Sequence, residues 1–295
     1  MTAAARRLLL ALLVLIPPAP LRAAAQDLRV SWDPPRAVAG DVVTLRVRGA
    51  PRGIVVEAML DGHPLNVFPL RDGHAAVLGV DMDARAGARA WRVIAQGTPT
   101  LTAEGRLPVA ARTYAVQRLS VARGLADLDP ESERRALDEI ERMRVVYRTM
   151  TGERLWRGRF VRPVAGESPG TGFGARRVIN GHARAPHSGI DFPALVGAPV
   201  VAANRGRVAL VGEFFFPGRL VILDHGLGLH TAYFHLDTSA VSEGQLVARG
   251  ETLGAVGMTG RVTGPHLHFG AQIGTARIDP TRLSGLARGE ETGAD

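Results

Sequence analysis

Short apolar runs separated by turn signals constrain the fold of this chain more than any other feature. In the first half they recur at a spacing of ~10 residues between residues 28 and 109, with turns such as Asp61-Gly62 between them. In the second half the runs are valine-rich and glycine-rich turns separate them. The pattern predicts a mostly β protein, with a small β-sandwich over residues 26–112 and a β-rich domain over residues 159–284.

One segment between the two halves has helical periodicity. Asp129 has the properties of an N-cap, and Pro130 follows it at the first helical position. Apolar residues then recur at helical spacing, namely Leu137, Ile140, Met143 and Val146. We therefore expect an amphipathic helix within a linker of residues 113–158, its apolar stripe packed against the rest of the protein.

The N-terminus is typical of a secretory signal peptide spanning residues 1–25. Arg6 and Arg7 precede an apolar run, and the alanines at 23–25 provide a cleavage site. The run is well short of the ~20 residues that a membrane-spanning helix needs. We expect an exported protein of the periplasm or cell envelope without stable membrane insertion after cleavage; an uncleaved N-terminal anchor is the alternative. Residues 285–295 are expected to form a flexible tail.

The amino-acid composition excludes several kinds of metal site and catalytic site. The chain has no cysteine, so disulfides, thiolate zinc sites and cysteine nucleophiles are excluded, and any metal must be held by histidine and carboxylate. The formal charge is +8, and every basic side chain is arginine. Single arginines spread along a chain with few aromatic residues do not predict nucleic-acid binding. A positive exported protein instead suits an anionic polymer such as a cell wall.

Histidines and one aspartate stand at spacings that favour a metal site. His187 precedes Asp191 by four residues, a spacing that often occurs by chance. His266 and His268 are two apart, so on a strand both side chains point to the same face. The same alternation places His235 on one face together with Tyr233. The three motifs together favour a metal site, although each of them alone has an ordinary structural explanation.

Residues 159–283 resemble the M23 peptidases, the lysostaphin and LytM-like zinc endopeptidases. Five pieces carry the resemblance in the order of the family: GFGARRVINGHARAPHSGIDF, GAPVVAANRGRV, LVILDHGLGLHTAYFHL, VSEGQLVARGETLGAVGMTG and TGPHLHFG. The resemblance implies that one Zn²⁺ ion is bound by His187, Asp191 and His268. It also implies that His235 and His266 are catalytic histidines that do not ligate the metal, one as base and one as oxyanion stabiliser, in either order.

Three further residues have weaker assignments at the substrate. Tyr233 is expected to hydrogen-bond the developing oxyanion, and Arg177 and Asn180 belong to a stretch that shapes the substrate groove in the family. The implied substrate is peptidoglycan, cleaved at the D-alanyl bond to meso-diaminopimelate or at a polyglycine bridge. The secreted, arginine-rich chain with an added sandwich favours the diaminopimelate bond.

Two other functions fit parts of the sequence. A non-catalytic adaptor would bind peptidoglycan and activate other wall hydrolases; the complete set of five site residues argues against it. Residues 241–257 also resemble the lipoyl- and biotinyl-carrier barrels, which require a carrier lysine that this chain lacks. Three roles are open for the N-terminal domain, namely wall targeting, docking of a regulatory protein and occlusion of the groove, and we favour the last.

Overall fold

The computed structural model describes residues 27–119, 128–166 and 172–286. The predicted signal peptide lies outside the described residues, and so does the predicted tail beyond residue 286. Within the described part the protein is built almost entirely of strands, with one α-helix and one short 3-10 helix. The prediction of a mostly β fold is therefore confirmed.

The N-terminal part consists of two sheets that face each other. The first has the order β1-β3-β7-β6, with β1 (Arg29–Asp33), β3 (Val42–Arg48), β6 (Val67–Leu70) and β7 (Gly73–Gly79). The second has the order β2-β9-β8-β4-β5, with β2 (Ala37–Val38), β4 (Val55–Leu60), β5 (His63–Pro64), β8 (Gly87–Gln96) and β9 (Leu101–Ala110). Leu45 and Val47 of the first sheet share a core with Val93 and Ala95 of the second.

The helix α1 (Pro130–Tyr147) begins where the capping pattern predicts. The Asp129 side chain accepts hydrogen bonds from the backbone N–H groups of Glu131 and Ser132. The buried face is displaced from the expected stripe, because Tyr147 is buried in the core while Leu137 is 60% exposed. No helix in the described ranges is long and apolar enough to cross a membrane.

The C-terminal half forms a nine-stranded antiparallel sheet with the main path β13-β20-β17-β16-β15-β18. On this path lie β13 (Gly189–Pro193), β15 (Gly206–Phe214), β16 (Gly218–Asp224), β17 (Leu229–Ser239), β18 (Leu246–Val247) and β20 (His266–Ile273). Three strands pair beside it, namely β14 (Pro199–Val201), β19 (Thr252–Val256) and β21 (Ala276–Ile278), and a 3-10 helix follows (Pro280–Gly285). The central strands β16 and β17 are buried along most of their length, although β17 carries several polar side chains, among them His235.

A small third sheet joins the two halves of the chain. It contains β10 (Val116–Leu119), β11 (Arg176–Ile179) and β12 (His182–Ala183). Strand β10, which directly follows the sandwich, pairs parallel with β11, which precedes His187. The segment that leaves the sandwich thus becomes an edge strand next to the predicted site.

Arginine–aspartate pairs fasten the sandwich to the second half. The Arg277 guanidinium on β21 donates to Asp81 at 2.8 and 3.1 Å and to Asp83 at 2.8 Å. Asp83 also pairs with Arg176 at the start of β11. The turn that carries these two aspartates therefore connects the core of the second half with the strand beside the site.

Candidate metal and catalytic site

Strand register brings Asp191 and His268 together. In the β13–β20 ladder these two residues are direct partners, so their side chains stand on the same face. His268 Nδ1 lies 3.0 Å from Asp191 Oδ1. The HxxxD and HxH pieces, 77 residues apart, therefore meet through ordinary antiparallel pairing.

His187 completes the group from the loop before β13. Its backbone N–H donates to Ala175 O at 3.0 Å, and its carbonyl accepts from Gly174 N–H at 2.7 Å. His187 Nε2 lies 3.0 Å from Asp191 Oδ1 and 2.9 Å from His268 Nδ1. The segment around residues 174–175 thus fixes the position of the third donor.

The three donor atoms fit a single metal ion. They face one another with all distances within 4.8 Å, and two imidazole nitrogens with one carboxylate oxygen form the donor set of a catalytic zinc site. Burial opposes ionisation of Asp191, but hydrogen bonds with His187 and His268 outweigh it and hold the pKa of the carboxyl well below its usual value. Burial lowers the pKa of His268, which favours the neutral, ligating form of the ring.

Two glycines leave room for the donor rings. A Cβ at Gly189 would lie 2.5 Å from Phe269 O and 2.6 Å from His268 Nε2. A Cβ at Gly172, where φ is +93°, would lie 2.7 Å from His187 Nδ1. Sequence reasoning missed both residues, because their role depends on contacts with distant rings.

His235 and His266 stand beside the three donors. Their ring centroids are 4.8 Å apart, and His266 Nε2 lies 3.7 Å from Asp191 Oδ1. His235 Nδ1 is 3.0 Å from Thr259 O, and His266 Nδ1 is 2.9 Å from Gly264 O. A carbonyl oxygen only accepts, so each ring donates from Nδ1 and keeps Nε2 as the acceptor in its neutral form.

A β-bulge brings His235 to the site. Between the pairs Arg219–Leu236 and Val221–Tyr233, strand β17 has one residue more than β16, and His235 adopts a φ of +63°. The extra residue interrupts the alternation of faces. Phe234 therefore stacks on His268, with centroids 5.2 Å apart, while His235 reaches the same rings from the next position.

Tyr233 does not lie beside His235 as strict alternation predicted. Its side chain is fully buried in the core on the opposite face, against Phe269. Its hydroxyl accepts a hydrogen bond from Ala203 N–H at 2.8 Å and hydrogen-bonds with Thr231 Oγ1 at 3.1 Å. This placement gives the phenol a structural role in the core.

The other two weakly assigned residues lie on the β11–β12 hairpin. Arg177 is half-buried on β11. Asn180 is exposed at the hairpin turn with a φ of +50°, a left-handed conformation that asparagine tolerates better than most residues. The hairpin begins at Arg176, directly after the Gly174–Ala175 segment that holds His187, so Arg177 is closer to this segment along the chain than Asn180 is.

The site lies within a segment of the chain that matches a known family of peptidases. Residues 185–280, which contain all three donors and both flanking histidines, match the family model Peptidase family M23. The chain therefore carries an M23 peptidase domain.

Relatives and solved structures support this assignment. The chain is 40% identical over 94 residues to the peptidoglycan DD-endopeptidase ShyB of Vibrio cholerae, and 40% identical over 109 residues to the DD-carboxypeptidase/endopeptidase Mpg of Neisseria meningitidis. These matches cover 32% and 37% of this chain but only 22% and 25% of the relatives' own lengths. A crystal structure described as peptidase M23 from Pseudomonas aeruginosa matches at 27% identity and a TM-score of 0.61, over 85% of this chain and 96% of its own.

Proposed function

We propose that the protein is an exported, zinc-dependent endopeptidase that hydrolyses peptide cross-links of bacterial peptidoglycan, at the bond between D-alanine and meso-diaminopimelate. The observation that carries this proposal is the convergence of His187 Nε2, Asp191 Oδ1 and His268 Nδ1, with His235 and His266 beside them. Three protein donors leave a coordination position for water or substrate, which is the arrangement of catalytic zinc sites.

The donor side chains would hold the ion, and their surroundings fix how they do so. When bound, zinc supplies Lewis acidity, which polarises a carbonyl and makes water a nucleophile at neutral pH. The ionised Asp191 contributes the negative charge, and the buried His268 contributes a neutral nitrogen. The backbone hydrogen bonds of His187 to residues 174–175 hold its ring nitrogen next to the other two donor atoms.

His235 and His266 are the proton carriers of this proposal. Burial, and then the neighbouring His268, lower the pKa of His235 to about 4, so its ring is neutral at pH 7. With Nδ1 donating to Thr259 O, the Nε2 atom of His235 is left to accept a proton or to receive one again. His266 has the same arrangement through Gly264 O, so either ring suits the base or the oxyanion-stabilising role.

The substrate assignment rests on the relatives, and the type of hydrolysis is inferred from the donor set and the lack of cysteine. Two matched relatives are named as endopeptidases, one of them for peptidoglycan, although they are much longer than the matched segment. A chain without cysteine, carrying a donor set for zinc, fits hydrolysis by activated water. Action on peptidoglycan requires a location in the cell envelope, and the proposed signal peptide supports that part of the proposal.

Product analysis tests the proposal. The protein from residue 26 onward is incubated with purified diaminopimelate-type sacculi, with and without a chelator, and released products are identified by mass spectrometry. New amino termini on diaminopimelate, abolished by the chelator and by His266→Ala, are expected. Bound zinc without any new termini would contradict the enzymatic proposal and favour the non-catalytic adaptor.

A further inference from the structure

Helix α1 contacts the turn that joins β15 to β16, residues 215–217. Glu139 Oε2 accepts a hydrogen bond from Phe215 N–H at 2.5 Å. Arg135, one helical turn earlier, donates from Nε to Glu139 Oε1 at 2.8 Å, and its guanidinium lies 5.9 Å from the centroid of the Phe215 ring. The helix therefore holds the turn through one carboxylate that has a partner on each oxygen.

The burial of Glu139 sets it apart from its neighbour Glu141 on the same helix. The Glu139 side chain is 12% exposed, whereas that of Glu141 is 51% exposed and pairs with Arg144 and Arg148. Carboxylates are seldom buried unless they are paired and hydrogen-bonded. The bond from Phe215 N–H to Glu139 is therefore a specific contact between helix and turn.

The other side of the same turn supports His235. Pro217 O accepts a hydrogen bond from His235 N–H at 2.8 Å. Thr259, whose carbonyl accepts from the His235 ring, is itself held through Oγ1 by Arg219 N–H at 2.8 Å. A Cβ at Gly218 would lie 2.3 Å from the carbonyl carbon of Thr259, so the two backbones are in close contact. The hydrogen bonds of the His235 backbone N–H and of its ring therefore both depend on where the turn lies.

His235 needs this support more than an ordinary strand residue does. Its φ of +63° lies in the left-handed region, where the Cβ of any residue other than glycine crowds the backbone. Such a conformation persists only when neighbouring contacts enforce it. The bond from His235 N–H to Pro217 O is one of these contacts, and its geometry is set by the turn that Glu139 holds.

We propose that Glu139 is a positioning residue for His235: through Phe215 N–H it fixes the 215–217 turn, and the turn fixes the backbone and ring of the histidine. The proposal rests on the proposed function, because the position of His235 affects catalysis only if this ring transfers a proton there. It also gives α1 a part in the catalytic site, although the helix precedes the matched segment of residues 185–280.

Kinetics of Glu139 variants test the proposal on a soluble cross-linked peptide that contains diaminopimelate. Glu139→Ala and the shorter Glu139→Asp lose the bond to Phe215 N–H. Both are expected to lower kcat about 10- to 100-fold with little change in KM, because a small displacement of a catalytic group costs that much. Glu139→Gln keeps an acceptor oxygen and should retain most of kcat. Glu141→Ala is the matched control on the same helix and should leave kcat unchanged, and each variant should still bind one zinc ion.

Amide hydrogen exchange, followed by NMR, gives a readout that does not depend on cleavage. In Glu139→Ala the His235 N–H is expected to exchange about tenfold faster or more than in the unmodified protein, because its acceptor is no longer held in place. The N–H of Ile222, in the buried middle of β16, should keep its rate. In Glu139→Gln and Glu141→Ala both amides should exchange at nearly the unmodified rates.

The outcomes separate this proposal from the proposed function. Unchanged kcat or unchanged exchange at His235 in Glu139→Ala would overturn it. Loss of zinc, or equally faster exchange at Ile222, would overturn it as well, since these results indicate general damage to the fold. If the unmodified protein cleaves no cross-linked peptide, the peptidase proposal fails, and exchange at His235 still decides whether Glu139 holds that residue.

Discussion

His235 and His266 offer the same ring atom to the metal site, since each donates from Nδ1 to a main-chain carbonyl, Thr259 O and Gly264 O respectively. Both carbonyls belong to the single loop between β19 and β20, so one segment sets the tautomers of the two rings. A main-chain carbonyl cannot donate a proton, so this tautomer is maintained whenever the rings are neutral. The pair is therefore prepared for proton transfer before substrate binds.

Replacing either flanking histidine should separate catalysis from metal binding. His235→Gln and His266→Gln are expected to lower kcat by about 10²- to 10⁴-fold, because a positioned proton carrier is lost. Both variants should bind one zinc ion, measured by elemental analysis, whereas His187→Ala and His268→Ala should not. Loss of zinc from the two Gln variants would show that these rings are ligands instead.

Gly189→Ala should weaken zinc binding. The new methyl group would lie 2.6 Å from His268 Nε2 and 2.5 Å from Phe269 O, so the ring must move away from Asp191. We expect zinc affinity, measured by chelator competition, to fall about 10- to 100-fold, as for other changes that misorient a ligand. Gly87→Ala is the matched strand control, since nothing lies within 4 Å of its Cβ; an equal loss there would refute the steric explanation.

The contact between the sandwich and the C-terminal half should contribute less to stability in acid. Burial alone would raise the pKa of Asp81, but hydrogen bonds from Arg277 outweigh it and lower the pKa. The resulting stabilisation is present above pH 3.8 and is lost as the pH falls through the lowered pKa. Asp81→Asn should cost about 1–2 kcal/mol in urea unfolding at pH 7, with less effect in acid.

Asp72→Asn provides the comparison for that measurement. Asp72 pairs with Arg48 at 2.8 Å, but both side chains are 59% exposed. An exposed pair contributes little, so this variant should change the free energy of unfolding by less than about 1 kcal/mol. Equal effects of the two substitutions would mean that the Asp81–Arg277 contact does not hold the halves together.

A buried histidine far from the metal donors should add a second pH dependence. His225 Nδ1 donates to Arg205 O at 2.8 Å, Nε2 lies 2.7 Å from Thr231 Oγ1, and burial lowers the pKa of the ring to about 4. Between pH 6.5 and 4 the His225 ring becomes protonated in the unfolded chain but stays neutral in the folded protein. The free energy of unfolding therefore decreases by about 3 kcal/mol as the pH falls through this range. His225→Gln should flatten this slope in denaturant titrations, whereas the exposed His63→Gln should not.

Local sequence signals predicted the strands and the start of the helix, because these depend on alternation and capping, whereas the donor set was implied by the family resemblance. Alternation failed at His235, where a bulge turns two successive side chains toward one site. It failed in part on α1 as well, where Leu137 faces solvent and Tyr147 enters the core. In both cases the departure is set by pairing or packing with distant segments, which a short sequence window does not contain.

The glycines that make room for the donor rings show the same limit. The crowding at Gly189 comes from the His268 ring and from Phe269 on the paired strand. Such features become visible only once the strand order is known.

The parallel pairing of β10 with β11 has a consequence for how this protein could be divided into fragments. The sequence-based boundary at residue 159 separates β11 from the strand beside it, and also from Tyr114, whose ring packs against Phe173. A fragment starting near residue 151 would therefore lose part of the support of its own His187 loop. The C-terminal half therefore cannot be transferred to another protein by itself, and a transferable fragment would have to include residues 112–119.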